Sequence, residues 1–600
     1  MTRGVRIRLA ALLAGSAAVL CSPLAIPAAR ANTAAVDYFR TRTDHTAVPA
    51  VLSPDERVYY KGLFAAIKRQ DWPTVEVLLA QKPDGPLHQV ARAEYYLAPT
   101  SPKIELPALQ QWLAAGTALP EAEQIVQLAL KRGAQPLALP QLPPEQRLIP
   151  QPSAPRRLRP REIADGTMPA TIASGILERI KASDAAGAKL LLDGIDAMLS
   201  PEARAEWRQR VAWGFYIGND DASAFALAQT AGEASGAWAP EGWWTAGLAA
   251  WRLTDCQGAA DAFARAAALA DNGELKSAAY YWQSRALVRC RQPEKAAAPL
   301  RLAAARDETL YGMLAAEQLG LTLPASHAAP DFTAADWQKL SPVPTVRAAV
   351  ALAEIGEDGL ADEILRYQAR IGDASLYQPL SRLARDLGLP STQLWMAYNA
   401  PSGGSPAPAS RYPTPNWTPL NGWQVDPALV YAHSLQESNF RTAVTSPAGA
   451  RGLMQIMPSA ARDHAAEIGV AGTAADLTRP EVNLAFGQLH LQMLKSSPAT
   501  QGLLPKVVAA FNAGLGPVTK WMSDIHDGGD PLLWMESVPY WETRGYVTVV
   551  LRNYWMYERQ AGGASDSRVA LAEDKWPTFP TMAGSDALRM ASNGVLLRGR

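Results

Sequence analysis

The sequence predicts a mainly α protein in which helical hairpins fill most of the chain. Three observations carry this prediction. Ala, Leu, Pro and Trp are prominent, and no long Val/Ile-rich alternation argues for large sheets. Helix-periodic segments recur along the 600 residues, separated by Pro or Gly. The pairs Leu248/Trp282, Leu253/Leu287, Ala262/Ala296 and Cys256/Cys290 repeat at an offset of 34 residues, the period of a tetratricopeptide-type hairpin. The length fits about four domains at the usual ~150 residues each.

Residues 1–31 read as a secretory signal peptide. Arg3, Arg6 and Arg8 form the basic start, an apolar stretch follows from Leu9, and Ala29-Arg30-Ala31 offers an A-x-A cleavage site before Asn32. A membrane anchor is the alternative, but Gly15, Ser16, Ser22 and Pro23 break an apolar run already short for a span. Leu20 before Cys21 is bulkier than lipoprotein processing favours. The expected location is the periplasm, with association to the outer membrane as a variant.

Helices are expected over 57–68, 72–80, 87–97, 106–115 and 121–132. Residues 136–160 carry too many prolines to continue a helix, so they should be extended or irregular. The sequence leaves open whether they form a flexible linker or pack along neighbouring hairpins. Helical periodicity resumes over 172–181, 185–199, 202–216, 222–231, 242–253, 259–269, 275–288 and 293–304. Trp207, Trp213, Trp238, Trp243, Trp244, Trp251 and Trp282 are most simply core, with one or two open to a role as sugar platforms. Cys256 and Cys290 would sit at equivalent points of neighbouring hairpins. A disulfide needs Cα atoms within ~7 Å, whereas packed helices lie about 8–10 Å apart, so bridged and free states both stay open. Further helices are expected at 345–355, 360–371 and 376–387, and the Pro/Gly/Ser-rich stretch 401–419 marks a boundary.

Composition narrows function. Lys plus Arg and Asp plus Glu both number 57, so nothing supports nucleic-acid binding or long-range steering. The seven His residues are scattered without metal-ligand spacing, and no phosphate-loop or dinucleotide signature occurs. No cofactor and no metal are expected.

The most informative stretch is 426–458, DPALVYAHSLQESNFRTAVTSPAGARGLMQIMP. Asp426 suits an N-cap and Pro427 the first helical position. Ala428, Tyr431, Ala432 and Leu435 share one face, while Val430, His433 and Glu437 share the other. A helix with one buried face would then hold a carboxylate at its far end. Pro447, Gly449 and Gly452 allow a tight loop after it.

ESNF at 437–440 and SPAGARGLMQIMP at 446–458 resemble the catalytic signature of the family 1 soluble lytic transglycosylases, lysozyme-like enzymes that cut peptidoglycan. AFNAG at 510–514 is similar to the family's AYNAG, and PYWETRGYV at 539–547 to its closing PYxETRxYV. A weaker likeness, TLYGMLA at 309–315, resembles the segment that closes the family's superhelical domain. The resemblance implies an α-superhelical domain over 32–325, curved into a ring and interrupted at 136–160. It implies a small helical linker domain over 326–400, a linker over 401–420, and a lysozyme-like α+β catalytic domain over 421–560 with any sheet small. Residues 561–600 form a weakly patterned tail to which no function is assigned.

The implied activity is non-hydrolytic cleavage of the β-1,4 bond between N-acetylmuramic acid and N-acetylglucosamine. Glu437 would be the single acid/base. Two-carboxylate glycosidases place a partner ~5–9.5 Å from the acid, but no second acid follows Glu437 until Asp463, and Glu542 is the only other one within the motifs. Substrate assistance by the N-acetyl group removes that need, and closure by the sugar's own 6-hydroxyl gives a 1,6-anhydro end. Carried over from the motifs, Ser446, Gln455 and Asn512 would bond substrate or hold the cleft. Tyr546 would sit beside the acid, and Met457 would be either a cleft wall or core. Met454, Met457 and Tyr546 suit the apolar setting that keeps an acid protonated. Peptidoglycan strands are the expected partner, with cell-wall synthesis or division proteins as further candidates and a monomer as the expected state. Phe511 replaces the family's usual Tyr, Ser459 a usual Thr, and His433 a normally aliphatic residue; a neutral His433 in the core or at the rim is the preferred reading. Two alternatives remain: a lysozyme-type hydrolase, and a non-catalytic cell-wall-binding scaffold.

Overall fold

The structure is a computed structural model and describes residue 38 and residues 47–580, apart from 83 and 325–329. The signal peptide expected at 1–31 lies outside the described residues. Helices dominate. The helix Pro54–Lys68 begins where Ser53 and Glu56 form a capping box. Asp71, Asp184, Asp220 and Asp255 each cap a following helix by accepting a backbone N–H three residues on. No helix among the described residues is long and apolar enough to cross a membrane.

From Ala170 to Gln318 successive helices pack as antiparallel neighbours, which is the solenoid the 34-residue offset predicts. Cys256 opens the helix Cys256–Leu269, and Cys290 caps the end of Gly273–Arg289. The antiparallel turn brings these two ends together, the Cα atoms lie 5.4 Å apart, and the cysteines are bridged. Trp207, Trp238, Trp243, Trp244 and Trp282 are buried. Trp213 is half-buried under the Arg544 guanidinium, and Trp251 under those of Arg285 and Arg289. All seven are used in packing and none is an open platform.

Packing crosses the limits drawn from the sequence. One core joins residues 48–134 to 332–400. The other joins 176–323 to a single linker-block residue, Leu394, and then to 412–579. The first helices therefore pack on the block expected to be a separate linker domain, and the helical path closes on itself. Polar contacts reinforce the closure: Arg57 and Lys68 reach Glu354 and Glu357 at 2.9 and 2.7 Å. These contacts are non-local, which is why helix periodicity alone does not reveal them.

The proline-rich stretch is a packed strap. Its Gln146 and Gln151 backbone N–H groups donate to the carbonyls of Arg370 and Tyr398 at 2.7 and 2.8 Å. Ile149–Pro150 pairs antiparallel with Asn399–Ala400, the only two-stranded ladder among the described residues. Farther on, the carbonyl of Pro155 accepts from Arg552, and that of Arg161 from the Trp238 indole at 2.8 Å.

In the C-terminal unit the helix Pro427–Ser438 packs on the long helix Trp541–Gln560, which also contacts Leu504–Ala513. Among the described residues its sheet content is reduced to the isolated bridges Thr445–Arg451, Arg451–Ile456 and Leu503–Thr578. The described part of the tail, residues 561–580, is more ordered than its pattern suggests. Asp566–Ala572 is a helix, Phe579 is buried, and Phe579 N–H donates to the Gly502 carbonyl at 2.7 Å.

Candidate active site

The acid helix starts as its local sequence dictates. The buried Asp426 carboxylate accepts from the Ala428 N–H, and Pro427 follows. Tyr554 of the long helix also donates to Asp426, at 2.9 Å. Burial pushes the Asp426 carboxyl up to about 6, against these two bonds. The helix ends at Asn439, which adopts the left-handed conformation with φ 51°, and Phe440 repeats it with φ 58°.

The expected single buried face is replaced by burial all round. Every residue from Pro427 to Leu435 is buried, because the long helix covers the side on which Val430 and His433 lie. Only Gln436 and Glu437 are partly exposed before the cap. The chain thus leaves one carboxylate at the mouth of an otherwise closed core.

Glu437 Oε1 accepts from the Tyr546 hydroxyl at 2.6 Å. Burial pushes the Glu437 carboxyl up to about 7. The Tyr546 bond opposes that rise, and the charge on exposed Glu542 adds to it. Tyr546 is buried and its hydroxyl stays neutral, raised first by burial and then by the Glu437 charge. The site therefore presents a carboxylic acid that holds its proton to about neutrality, with a fixed donor on one oxygen.

Other residues singled out by the sequence are held by bonds of their own. The Asn512 Oδ1 accepts from Thr543 Oγ1 at 2.6 Å, and Thr543 lies one turn before Tyr546. The Gln455 amide donates to the Gly452 carbonyl at 2.8 Å from a left-handed backbone of φ 49°. Ser446 Oγ accepts from Ala450 N–H at 3.0 Å and closes the loop that follows the acid helix. Met457 is 42% exposed, which excludes the core alternative. Met454 is fully buried, its N–H held by Asn483 Oδ1 at 2.8 Å.

His433 is fully buried, its Nδ1 2.9 Å from the Leu429 carbonyl and its ring 4.7 Å from that of Phe511. Burial pushes the imidazole down to about 4, so it is neutral at pH 7. Two of the three departures from the family pattern, those at 433 and 511, are in contact.

Sequence reasoning missed Asn483 and Thr543. Asn483 holds the loop by donating to the Arg451 and Leu477 carbonyls, both at 2.9 Å. Gly452 runs so close that a Cβ there would lie 2.2 Å from the Leu477 carbonyl oxygen, with φ already +72°. Polar residues inside ordinary helices gave no local signal of either role. Among the described residues no group of three His, Cys, Asp or Glu side chains is placed to hold a metal ion.

Residues 418–530 match the Transglycosylase SLT domain family. The soluble lytic murein transglycosylase of Escherichia coli (strain K12) is 33% identical over 158 residues, 26% of this chain and 24% of that protein. The endo-type membrane-bound lytic murein transglycosylase A of Klebsiella pneumoniae (strain 342) is 31% identical over 140 residues, 21% of this chain and 69% of that protein. The crystal structure of the 70 kDa soluble lytic transglycosylase from Escherichia coli superposes with a TM-score of 0.59 at 20% identity. The superposition covers 88% of this chain and all of that one. Fold and site thus define a mainly α protein with a superhelix and a lysozyme-like domain. The chain belongs to the lytic murein transglycosylases that carry the SLT domain. Its match spans about a quarter of the length of the soluble Escherichia coli relative.

Proposed function

We propose that this protein is a periplasmic lytic transglycosylase that cuts peptidoglycan between N-acetylmuramic acid and N-acetylglucosamine without water, with Glu437 as the single acid/base. The observation that carries the reading is the half-buried Glu437 carboxyl, raised to about 7 and bonded by Tyr546 at 2.6 Å. An acid so placed can protonate the leaving oxygen and, once ionised, take the proton of the 6-hydroxyl. Glu542 acts on Glu437 only through its charge, so the N-acetyl group of the substrate takes the second role. Ser446, Gln455, Met457 and Asn512 line the glycan path in this reading, and residues 421–560 form the catalytic domain. Export by the segment at 1–31, a monomeric state and cell-wall partners belong to the same proposal.

Product analysis by mass spectrometry tests it. Wild type and Glu437→Gln are each incubated with purified peptidoglycan. The expected products are muropeptides with 1,6-anhydromuramic ends from wild type alone. Reducing ends would make the protein a hydrolase. Binding without any soluble product would make it a scaffold.

A further inference from the structure

The strap reaches the catalytic unit through the Pro155 carbonyl, which accepts from Arg552, and through the side chain of Arg157. Arg157, with only 10% of its side chain exposed, lies between two buried carboxylates from different parts of the fold. Its Nε donates to Glu241 of the superhelix at 3.1 Å, and its Nη1 to Glu536 of the catalytic unit at 3.3 Å. The guanidinium stacks between Trp244 at 4.7 Å and Trp541 at 5.4 Å. Each neighbour is fixed in turn. Tyr311 donates to the other Glu536 oxygen at 2.7 Å, and Tyr216 meets Ser537 at 2.7 Å. Arg544 donates to the Val538 carbonyl at 3.0 Å and also covers Trp541.

Trp541 is the first residue of the long helix Trp541–Gln560. Thr543, which holds Asn512, and Tyr546, which holds Glu437, follow within two turns. The start of this helix is thus set by a clamp whose centre comes from the proline-rich strap. A second tie, from Arg552 to the Pro155 carbonyl, holds the same helix about three turns from its start. Removing Arg157 would leave Glu241 and Glu536 buried around an empty space, with the charge of Arg544 still acting on both.

We propose that Arg157 is a positioning residue for the reaction: through Trp541 and Glu536 it sets the long helix so that Tyr546 meets Glu437. The proline-rich strap is then a working part of the active site. This inference rests on the reading of Glu437 as the acid.

The test measures initial rates of anhydromuropeptide release from soluble glycan strands over a range of substrate concentrations. Full-length wild type, Arg157→Lys, Tyr546→Phe and the double variant are compared, each with its thermal melt. Lys keeps the charge but cannot bridge two carboxylates while stacking on both indoles. Arg157→Lys is expected to lose about tenfold in kcat with KM unchanged. Added to Tyr546→Phe it should cost nothing further, because both act through one hydrogen bond. Should Arg157→Lys fold poorly, Glu536→Gln removes the same clamp with the side-chain shape kept and is judged by the same coupling. A full rate, a multiplicative loss in the double variant, or a loss that tracks the unfolded fraction overturns the proposal. Glu437→Gln is the control for the underlying reading. If that variant still cleaves, the acid is misassigned, whereas the Arg157–Tyr546 coupling is decided separately.

Discussion

At the scale of single residues, the acid is stabilised in its neutral form and this fixes its pH behaviour. Activity that needs protonated Glu437 should fall as pH rises through about 7. Tyr546→Phe removes the bond that favours the carboxylate, so the alkaline limb of the pH–rate profile should move to higher pH. A limb moving lower would refute the direction of that bond. The same shift has a cost in folding. A carboxyl raised in the folded state loses stability as pH rises from its unfolded value near 4.5 through about 7. Glu437→Gln should therefore melt higher than wild type at pH 8 and equal it near pH 4, which calorimetry at the two pH values would check. His433, already neutral, should leave the profile unmoved when replaced by Leu; a displaced limb would bring it into the mechanism. Part of this scale was legible: the Asp426 cap and the place of Glu437 at the helix end were read from local pattern, and Tyr546 beside the acid was carried over from the motif resemblance. The total burial of His433 was not, because it depends on a helix more than a hundred residues away in the chain.

At the scale of elements, the loop after the acid helix depends on close backbone contact. Gly452→Ala should cost about 1–3 kcal/mol or more, since it combines positive φ with a clash against Leu477 and Asn483. Wild-type stability in denaturant titration would mean the loop has room to shift. The Cys256–Cys290 bridge closes a loop of 34 residues in the sequence. Its loss in Cys290→Ala should cost about 2–4 kcal/mol, read as a lower melting temperature that reductant no longer changes. The helices themselves were legible because caps and periodicity are local. The strap was not, since prolines exclude helix without saying what the chain lies against. Arg157, in a basic and proline-rich stretch, looks like a solvated charge until Glu241 and Glu536 are brought to it.

At the scale of the whole molecule, two cores are shared between distant parts of the chain. The C-terminal segment belongs to this cohesion. Arg568 pairs with Glu317 at 2.8 Å, Asp574 with Arg285 at 2.9 Å, and Gln318 donates to the Ala572 carbonyl at 2.7 Å. Truncation after residue 560 should lower the melting temperature by several degrees and reduce the rate of cleavage. An unchanged melt would show that these contacts contribute nothing measurable, as many exposed ion pairs do. A fragment from about residue 415 should be unstable alone, because it would expose the surface buried against 176–323. Limited proteolysis of that fragment, compared with full length, checks this.

The order of synthesis gives the strap one more consequence. Arg157 leaves the ribosome before Glu241, and both leave it hundreds of residues before Glu536, Tyr546 and Arg552. A growing chain that already contains Glu437 still lacks the tyrosine that aims it and the helix the strap must hold. A chain that has reached Glu437 but not residue 546 thus holds that carboxyl without its hydrogen-bond donor, and the pair is complete only once the helix Trp541–Gln560 has been made.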